Sequence, residues 1–319
     1  MRAFCLALSA VFLAGCETLA YYGQAASGQL ALMARARPLD EVEAAPALKE
    51  RLRLALEIRD FASRELGLPD DGAYRSYADL GRPYALWNVV AAPEFSLAPV
   101  QSCFAIAGCV SYRGYYDRDA AQRHAGTLRA AGHDVVVYGV PAYSTLGWFD
   151  DPLLSTFIHY PEADLARLMF HELAHRVAYV KDDSTFNESF AVVVEREGLR
   201  RWLAAQGRQQ PAPRFDPAPQ IAEVRASLEA LYRTRLAPEA MRERKRAALE
   251  ALRPLMARTP AFEGQEPNNA FVASYATYTD AVPMFERLLA AEDGDLTRFY
   301  GRVRALARLP RTERAALLK

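Results

Sequence analysis

Residues Met169-Phe170-His171-Glu172-Leu173-Ala174-His175 are followed shortly by Thr185-Phe186-Asn187-Glu188-Ser189-Phe190-Ala191. On an α-helix His171 and His175, four positions apart, share one face and can grip one metal ion. Glu172 lies about 100° around the same helix, close enough to act on a water held at that ion. Glu188 offers a carboxylate from the start of a following helix. Two imidazoles, one carboxylate and an open fourth position are the donor set of a catalytic zinc rather than a structural one. The pattern implies hydrolysis by a metal-activated water, with Zn2+ as cofactor.

The context supports a helix there. Leu165 to Val180 contains no Gly or Pro, and Ala166, Met169, Leu173, Val177 and Val180 recur at helical spacing on the side away from the histidines. Glu188 has a second reading. Thr185-Phe186-Asn187-Glu188 matches the capping box, in which the glutamate returns to the N-cap amide. Glu195, seven residues on and therefore on the same face, is a rival ligand or a partner that holds a histidine from behind.

The chain has 319 residues, 51% of them hydrophobic, enough for a substantial core. Formal net charge is zero, which gives no argument for a nucleic-acid partner. No Gly-rich phosphate loop, internal repeat or low-complexity tract occurs. Met1-Arg2, the apolar run Ala3 to Leu13 and Leu13-Ala14-Gly15-Cys16 read as an export signal too short to span a bilayer. The last four residues resemble the bacterial lipobox. That implies cleavage before Cys16, acylation of Cys16, and a membrane anchor facing the periplasm; Glu17 after it favours the outer membrane. Cys103 and Cys109 then remain as an even pair: a short-loop disulfide, or two buried thiols. Neither has the neighbours of a zinc finger.

The spacing predicts helices over 20–33, 39–66 and 118–131, and strands over 84–91, 95–100, 104–112 and 133–140. Tyr112 to Tyr116 reads as a turn. Tyr143 to Trp148 is a candidate strand on the cleft rim, with Tyr143 in contact with an extended substrate. Gln209 to Pro219 is an exposed connector, Gln220–Leu236 and Pro238–Arg253 form a helical hairpin, and Asn268 opens a further helix. The fold class is α+β: a small mixed sheet with the metal-site helices, and additional helices at both ends. The expected division is a signal peptide at 1–15, a helical segment at 16–80, a core at 81–206 and a C-terminal helical region at 207–319.

Several of these stretches together resemble a family of bacterial lipoproteins regarded as aminopeptidases of the zincin type. They are Leu13 to Cys16, Tyr21-Tyr22 with Gln24, Gly28-Gln29-Leu30, Gly108 to Tyr115, Tyr143 to Pro152, His171 to His175, Phe186 to Ala191, and Asn268 to Phe285. Asn187-Glu188-Ser189-Phe190-Ala191 also resembles the Asn-Glu-Gly-Phe-Ala stretch of large zinc aminopeptidases, where the glutamate is the third ligand. That favours Glu188 over Glu195. The spacer between His175 and Glu188 is shorter here, and no Gly-x-Met-Glu-Asn segment for holding a free amino terminus is present.

The resemblance implies a peptidase acting on peptides or proteins. Zinc would be held by His171, His175 and Glu188, with Glu172 as general base. Tyr278, in the family's C-terminal motif, is the candidate donor to the oxyanion. Arg113, Asn268 and Asn269 are candidate substrate contacts. Two other functions fit the same motifs. One is an envelope lipoprotein that binds a partner through a cleft closed by the helices between Gln220 and Arg253. The other is a metal hydrolase acting on peptidoglycan stem peptides.

Overall fold

The computed structural model describes residues 19–104, 108–209 and 217–317. Cys16, with its lipobox-like stretch, and most of the proline-rich connector lie outside the described residues. The fold is α+β. Helices α1 (residues 19–33) and α2 (Pro46–Arg64) precede the strands. Pro46 suits the first turn of α2, where an amide hydrogen would have no partner. Leu39–Glu41 is a separate short 3-10 turn, so the helix expected from residue 39 begins seven residues later.

Strands β1 (Arg37–Pro38), β2 (Ser76–Ala78), β3 (Leu86–Pro93), β4 (Ser102–Phe104), β5 (Gly108–Val110), β6 (Arg113–Tyr115), β7 (His133–Val140) and β8 (Leu153–Leu154) form three small sheets. The principal one has the order β6-β3-β7 and is antiparallel throughout, with Leu86 opposite Val140 and Asn88 between Gly114 and Tyr138. The mixed sheet is β1-β2-β8, in which β1 and β2 run antiparallel and β2 and β8 parallel. Helix α3 (Arg118–Ala130) separates β6 from β7.

The expected strand at 95–100 does not form. Pro93 and Pro99 flank a turn held by Ser96, and a single bond from the Val100 amide to the Ala91 carbonyl remains. The strand expected over 104–112 divides. Its first half is the β4–β5 hairpin, where Cys103 and Cys109 face each other and form a disulfide. The turn expected at 112–116 holds strand β6 instead. Tyr143 to Trp148 is also not a strand: Leu146 and Gly147 adopt φ of 56° and 86°, and the Asp151 carboxylate accepts from the Thr145 amide.

The remaining helices are α4 (Glu162–Ala174), α5 (Ser184–Ala205), α6 (Ala218–Tyr232), α7 (Pro238–Glu250), α8 (Arg253–Ala257), α9 (Asn269–Thr279), α10 (Val282–Ala291), α11 (Leu296–Ala307) and α12 (Arg311–Leu317). Side chains alternate across a strand, and the principal sheet uses this to serve two partners. Val89, Ala91, Val135 and Val137 pack with Ala121 and Ala125 of α3. The opposite face sends Val90, Ala92 and Val136 against α6, α8 and α9. At its far end that face leaves Leu86, Asn88 and Val140 lining a cavity.

The largest apolar cluster joins α2, α4, α5, α10 and α11, including Phe61, Phe170, Phe190, Phe285 and Phe299. It takes residues from all three segments expected at 16–80, 81–206 and 207–319. Gly198 allows α5 to lie close on α4, because a Cβ there would come within 2.7 Å of the Phe170 ring and 2.9 Å of Leu66. That approach brings the carboxylates of α5 to the histidines of α4.

Candidate metal centre

Helix α4 stops at Ala174, and His175 is its C-cap residue, so the helix is six residues shorter than the apolar spacing suggests. The cause is tertiary. Asn187 of α5 accepts from the Val180 amide at 2.7 Å and donates to the Val180 carbonyl at 2.8 Å, fixing the returning loop. Val177 and Val180 are still buried, but from this loop. Asp183, not Thr185, caps α5, accepting from the Phe186 amide at 3.2 Å, and the Arg314 guanidinium holds its other oxygen at 3.0 Å. The Glu188 carboxylate is therefore not used for capping.

It faces the histidines instead. Glu188 Oε2 lies 3.2 Å from His171 Nε2 and 3.6 Å from His175 Nε2. One donor atom from each of the three residues lies within 4.8 Å of the others, so the group could hold a metal ion. Donors 2.0–2.2 Å from a tetrahedral ion stand roughly 3.3 Å apart, and the two Glu188–histidine separations match that spacing. Glu195 is set behind, with Oε2 at 2.9 Å from His171 Nδ1, and leaves Nε2 turned to the centre. His175 is 8% exposed, and its Nδ1 has no hydrogen-bond partner among the described residues.

Charge is concentrated here. Burial works against ionising Glu188, but the two imidazoles outweigh it and bring its carboxyl down to about 2. Burial also disfavours a charged His171, yet hydrogen bonds to Glu188 and Glu195 raise it well above the usual histidine value. Burial raises the carboxyl of Glu172, with His171 and His175 pulling it back. An ionised carboxylate facing a protonated imidazole is a pair that a divalent cation can replace, with release of the proton.

The centre opens on a cavity of about 410 Å³, within the range of small-ligand sites. Its walls include Tyr21 and Tyr22 of α1, Phe104 and Val110 of the hairpin, Tyr143 and Leu146, and Tyr179. Tyr278 lies on the wall with its ring centroid 6.2 Å from that of His171. Burial, and then the nearby Glu188 carboxylate, push the phenols of Tyr278 and Tyr112 well above 10, so both are neutral O–H groups at neutral pH.

A model of the family described as putative aminopeptidase matches residues 20–318. The chain belongs to that family. Membership suggests peptidase activity. Comparisons with curated proteins and with solved structures give no match.

Other residues singled out from the family's motifs fall into two groups. His171, Glu172, His175, Glu188, Tyr143 and Tyr278 line the cavity together. Tyr143 is bound to its partners there, its hydroxyl 2.6 Å from that of Tyr116 and bonded to Gln29 of α1. Arg113, Asn268 and Asn269 do not line it. The Arg113 guanidinium lies 4.1 Å over the Tyr21 ring, outside the cavity. Asn268 caps α9 and donates to the Val135 carbonyl at 3.2 Å. Asn269, fully buried, donates to the carbonyls of Pro93 and Glu94. Asn268 and Asn269 thus tie α9 to β7 and the end of β3, while Arg113, on the edge strand β6, packs on Tyr21 of α1. Helices α6 and α7 pack on the same sheet and contribute no residue to the cavity, so they do not close the cleft.

Sequence reasoning did not find Asn187 as the clasp of the α4–α5 loop, nor the tyrosines Tyr112 and Tyr179. The clasp had a signal: Asn187 stands between Phe186 and Glu188 at a helix start. Tyr112 falls in the family-like stretch Gly108 to Tyr115, whereas Tyr179 had no signal.

Proposed function

We propose that this protein is a zinc-dependent peptidase with a zincin-like core, held on a bacterial envelope membrane by an acylated Cys16 and facing the periplasm. Its main support is the convergence of His171, His175 and Glu188 within 4.8 Å at the base of a cavity that Glu172 also lines. The donor set, two imidazoles and a carboxylate with room for a fourth ligand, suits zinc. The cross-strand disulfide agrees with an oxidising compartment. Among the described residues no helix is long and apolar enough to cross a membrane, and attachment is assigned to the acyl chains.

Zinc, when bound, supplies a Lewis acid that lowers the pKa of a coordinated water toward about 7 and polarises a carbonyl. The residues do the rest. Glu172 accepts the water's proton as the new C–O bond forms, and passes it to the amine nitrogen as the C–N bond breaks. Tyr278, neutral and on the cavity wall, donates to the oxygen on which charge accumulates. Glu195 keeps the His171 ring oriented throughout.

The test uses the full chain as wild type and as Glu172→Gln, with metal quantified and a mixed peptide library followed by mass spectrometry. One equivalent of zinc in both proteins, with cleavage by the wild type alone, is the expected result. Zinc in both without cleavage by either would overturn the peptidase assignment. No zinc in either would remove the metal centre itself. A Cys16→Ser chain should leave the membrane fraction while keeping its zinc.

A further inference from the structure

Among the described residues, the cavity carries no charged side chain apart from those of the candidate metal centre. Among the described residues that line it there is no Lys, Arg or Asp, and Glu172 and Glu188 are its only carboxylates. The rest of the wall is largely aromatic and aliphatic: Tyr21, Tyr22, Phe104, Val110, Tyr112 and Tyr179 lie around the centre. Nearby ions are already engaged elsewhere. Arg176 is held by Asp71 at 2.8 Å and by Asp151 at 3.3 Å. Arg82 donates to the carbonyls of Ala85 and Tyr116, and Arg113 lies over Tyr21. Asp182 accepts from the Cys109 amide, and Glu195 is bound to His171.

The apolar character continues outward. Trp148 and Phe149, two and three residues past the lining residue Leu146, are 67% and 42% exposed.

A free α-ammonium or α-carboxylate seated in this cavity away from the metal centre would lose its hydration without gaining a counter-charge, whereas an amide-blocked or internal segment would lose much less. We infer that the site takes apolar, aromatic-rich peptide segments away from their charged ends, and so cuts within chains rather than removing single residues from an amino terminus. This inference rests on the peptidase reading above and specifies the substrate class of the same site.

The experiment measures binding separately from turnover. Zinc-loaded Glu172→Gln full chain is titrated with four peptides of equal length. Two have an aromatic centre and two a Lys/Asp centre, and each sequence is made with a free and with an acetylated amino terminus. The aromatic acetylated peptide should bind at least as tightly as its free-amine twin, and about tenfold or more tightly than either charged peptide. Leu146→Asp places a carboxylate on the wall at a position whose φ of 56° an aspartate accepts readily. In the Glu172→Gln background it should shift the ratio about tenfold toward the free amine.

That ratio is internal to each protein and does not depend on how much of the variant is folded. A wild-type site that binds the free amine tenfold more tightly, or binds charged and aromatic peptides alike, or binds none of the four, overturns the inference. The selective pattern with no cleavage by the zinc-loaded wild type would instead leave the substrate class in place and overturn the peptidase reading.

Discussion

His171 Nδ1 and Glu195 Oε2 stand 2.9 Å apart, so the imidazole that faces the metal position is oriented by a carboxylate that need not touch the ion. Partners of this kind typically change metal affinity by 10–100-fold when removed. Glu195→Ala should therefore weaken zinc binding by about that factor while leaving the metal-free fold unchanged. Competition with a coloured chelator, beside circular dichroism of both proteins, checks it. Unaltered affinity would mean that Glu195 has no orienting role.

Asn187 closes the loop between α4 and α5 with two hydrogen bonds to one residue. Asn187→Leu leaves the Val180 amide buried without a partner, at about 1–3 kcal/mol for an unsatisfied group, while the Val180 carbonyl keeps the Asp183 amide at 3.3 Å. Urea denaturation should show a loss of about 1–3 kcal/mol. Zinc affinity should fall with it, because Glu188 follows directly in the helix.

Gly198 permits the close approach of α5 to α4. The added methyl of Gly198→Ala meets an aromatic ring and a leucine that are both buried in the core, and overpacking of this sort costs about 1–3 kcal/mol. The thermal midpoint should drop, and zinc release should speed up as the two helices are pushed apart. A midpoint equal to the wild type would show that the interface can absorb a methyl group.

The Cys103–Cys109 bridge closes the hairpin that supplies Phe104 and Val110 to the cavity wall. Gly108 beside it packs against the 181–182 loop, where a Cβ would come within 2.4 Å of Lys181 and Asp182. The paired Cys103→Ser, Cys109→Ser chain should be cut faster by an added protease between residues 101 and 111, with zinc binding kept. Digestion at the wild-type rate would show that the strands hold without the bond.

Alkaline pH should unfold the protein through its buried tyrosines. Burial pushes Tyr138 up to about 12 and Tyr74 and Tyr112 well above 10, against about 10 in an unfolded chain. A folded pKa above the unfolded one means that the neutral phenols' contribution is complete below pH 10. It is then lost as pH rises through about 12. Tyrosinate absorbance and loss of helical signal should rise together in that window. Tyrosines that ionise near pH 10 while the helices persist would contradict the burial.

The site's helical half was legible because i, i+4 spacing alone puts His171 and His175 on one face, and because Glu195 repeats the face of Glu188 after seven residues. The end of α4 was not legible, since it is imposed by Asn187 from the next helix. The cap of α5 was misplaced because Asp183, Ser184 and Thr185 are all competent caps, and only Asp183 has Arg314 behind it. Asn268 and Asn269 correctly marked a helix start. Their side chains bond to strand ends more than 130 residues earlier, which local spacing cannot reveal. The rim strand failed for a similar reason: the Asp151 carboxylate curls residues 143–151 onto Arg176 at the end of the metal helix.

The apolar cluster that spans α2, α4, α5, α10 and α11 draws helices from both ends of the described chain into one core. A stretch cut from β3 to the end of α5 would leave part of its own core behind. Its Phe190 would lose Phe285 and Phe299, and its Phe170 would lose Phe61. Capture of the proposed zinc at one end of α5 would therefore reach the whole cluster. Slower amide exchange on metal loading should extend to α2 and α11, far along the chain from any ligand.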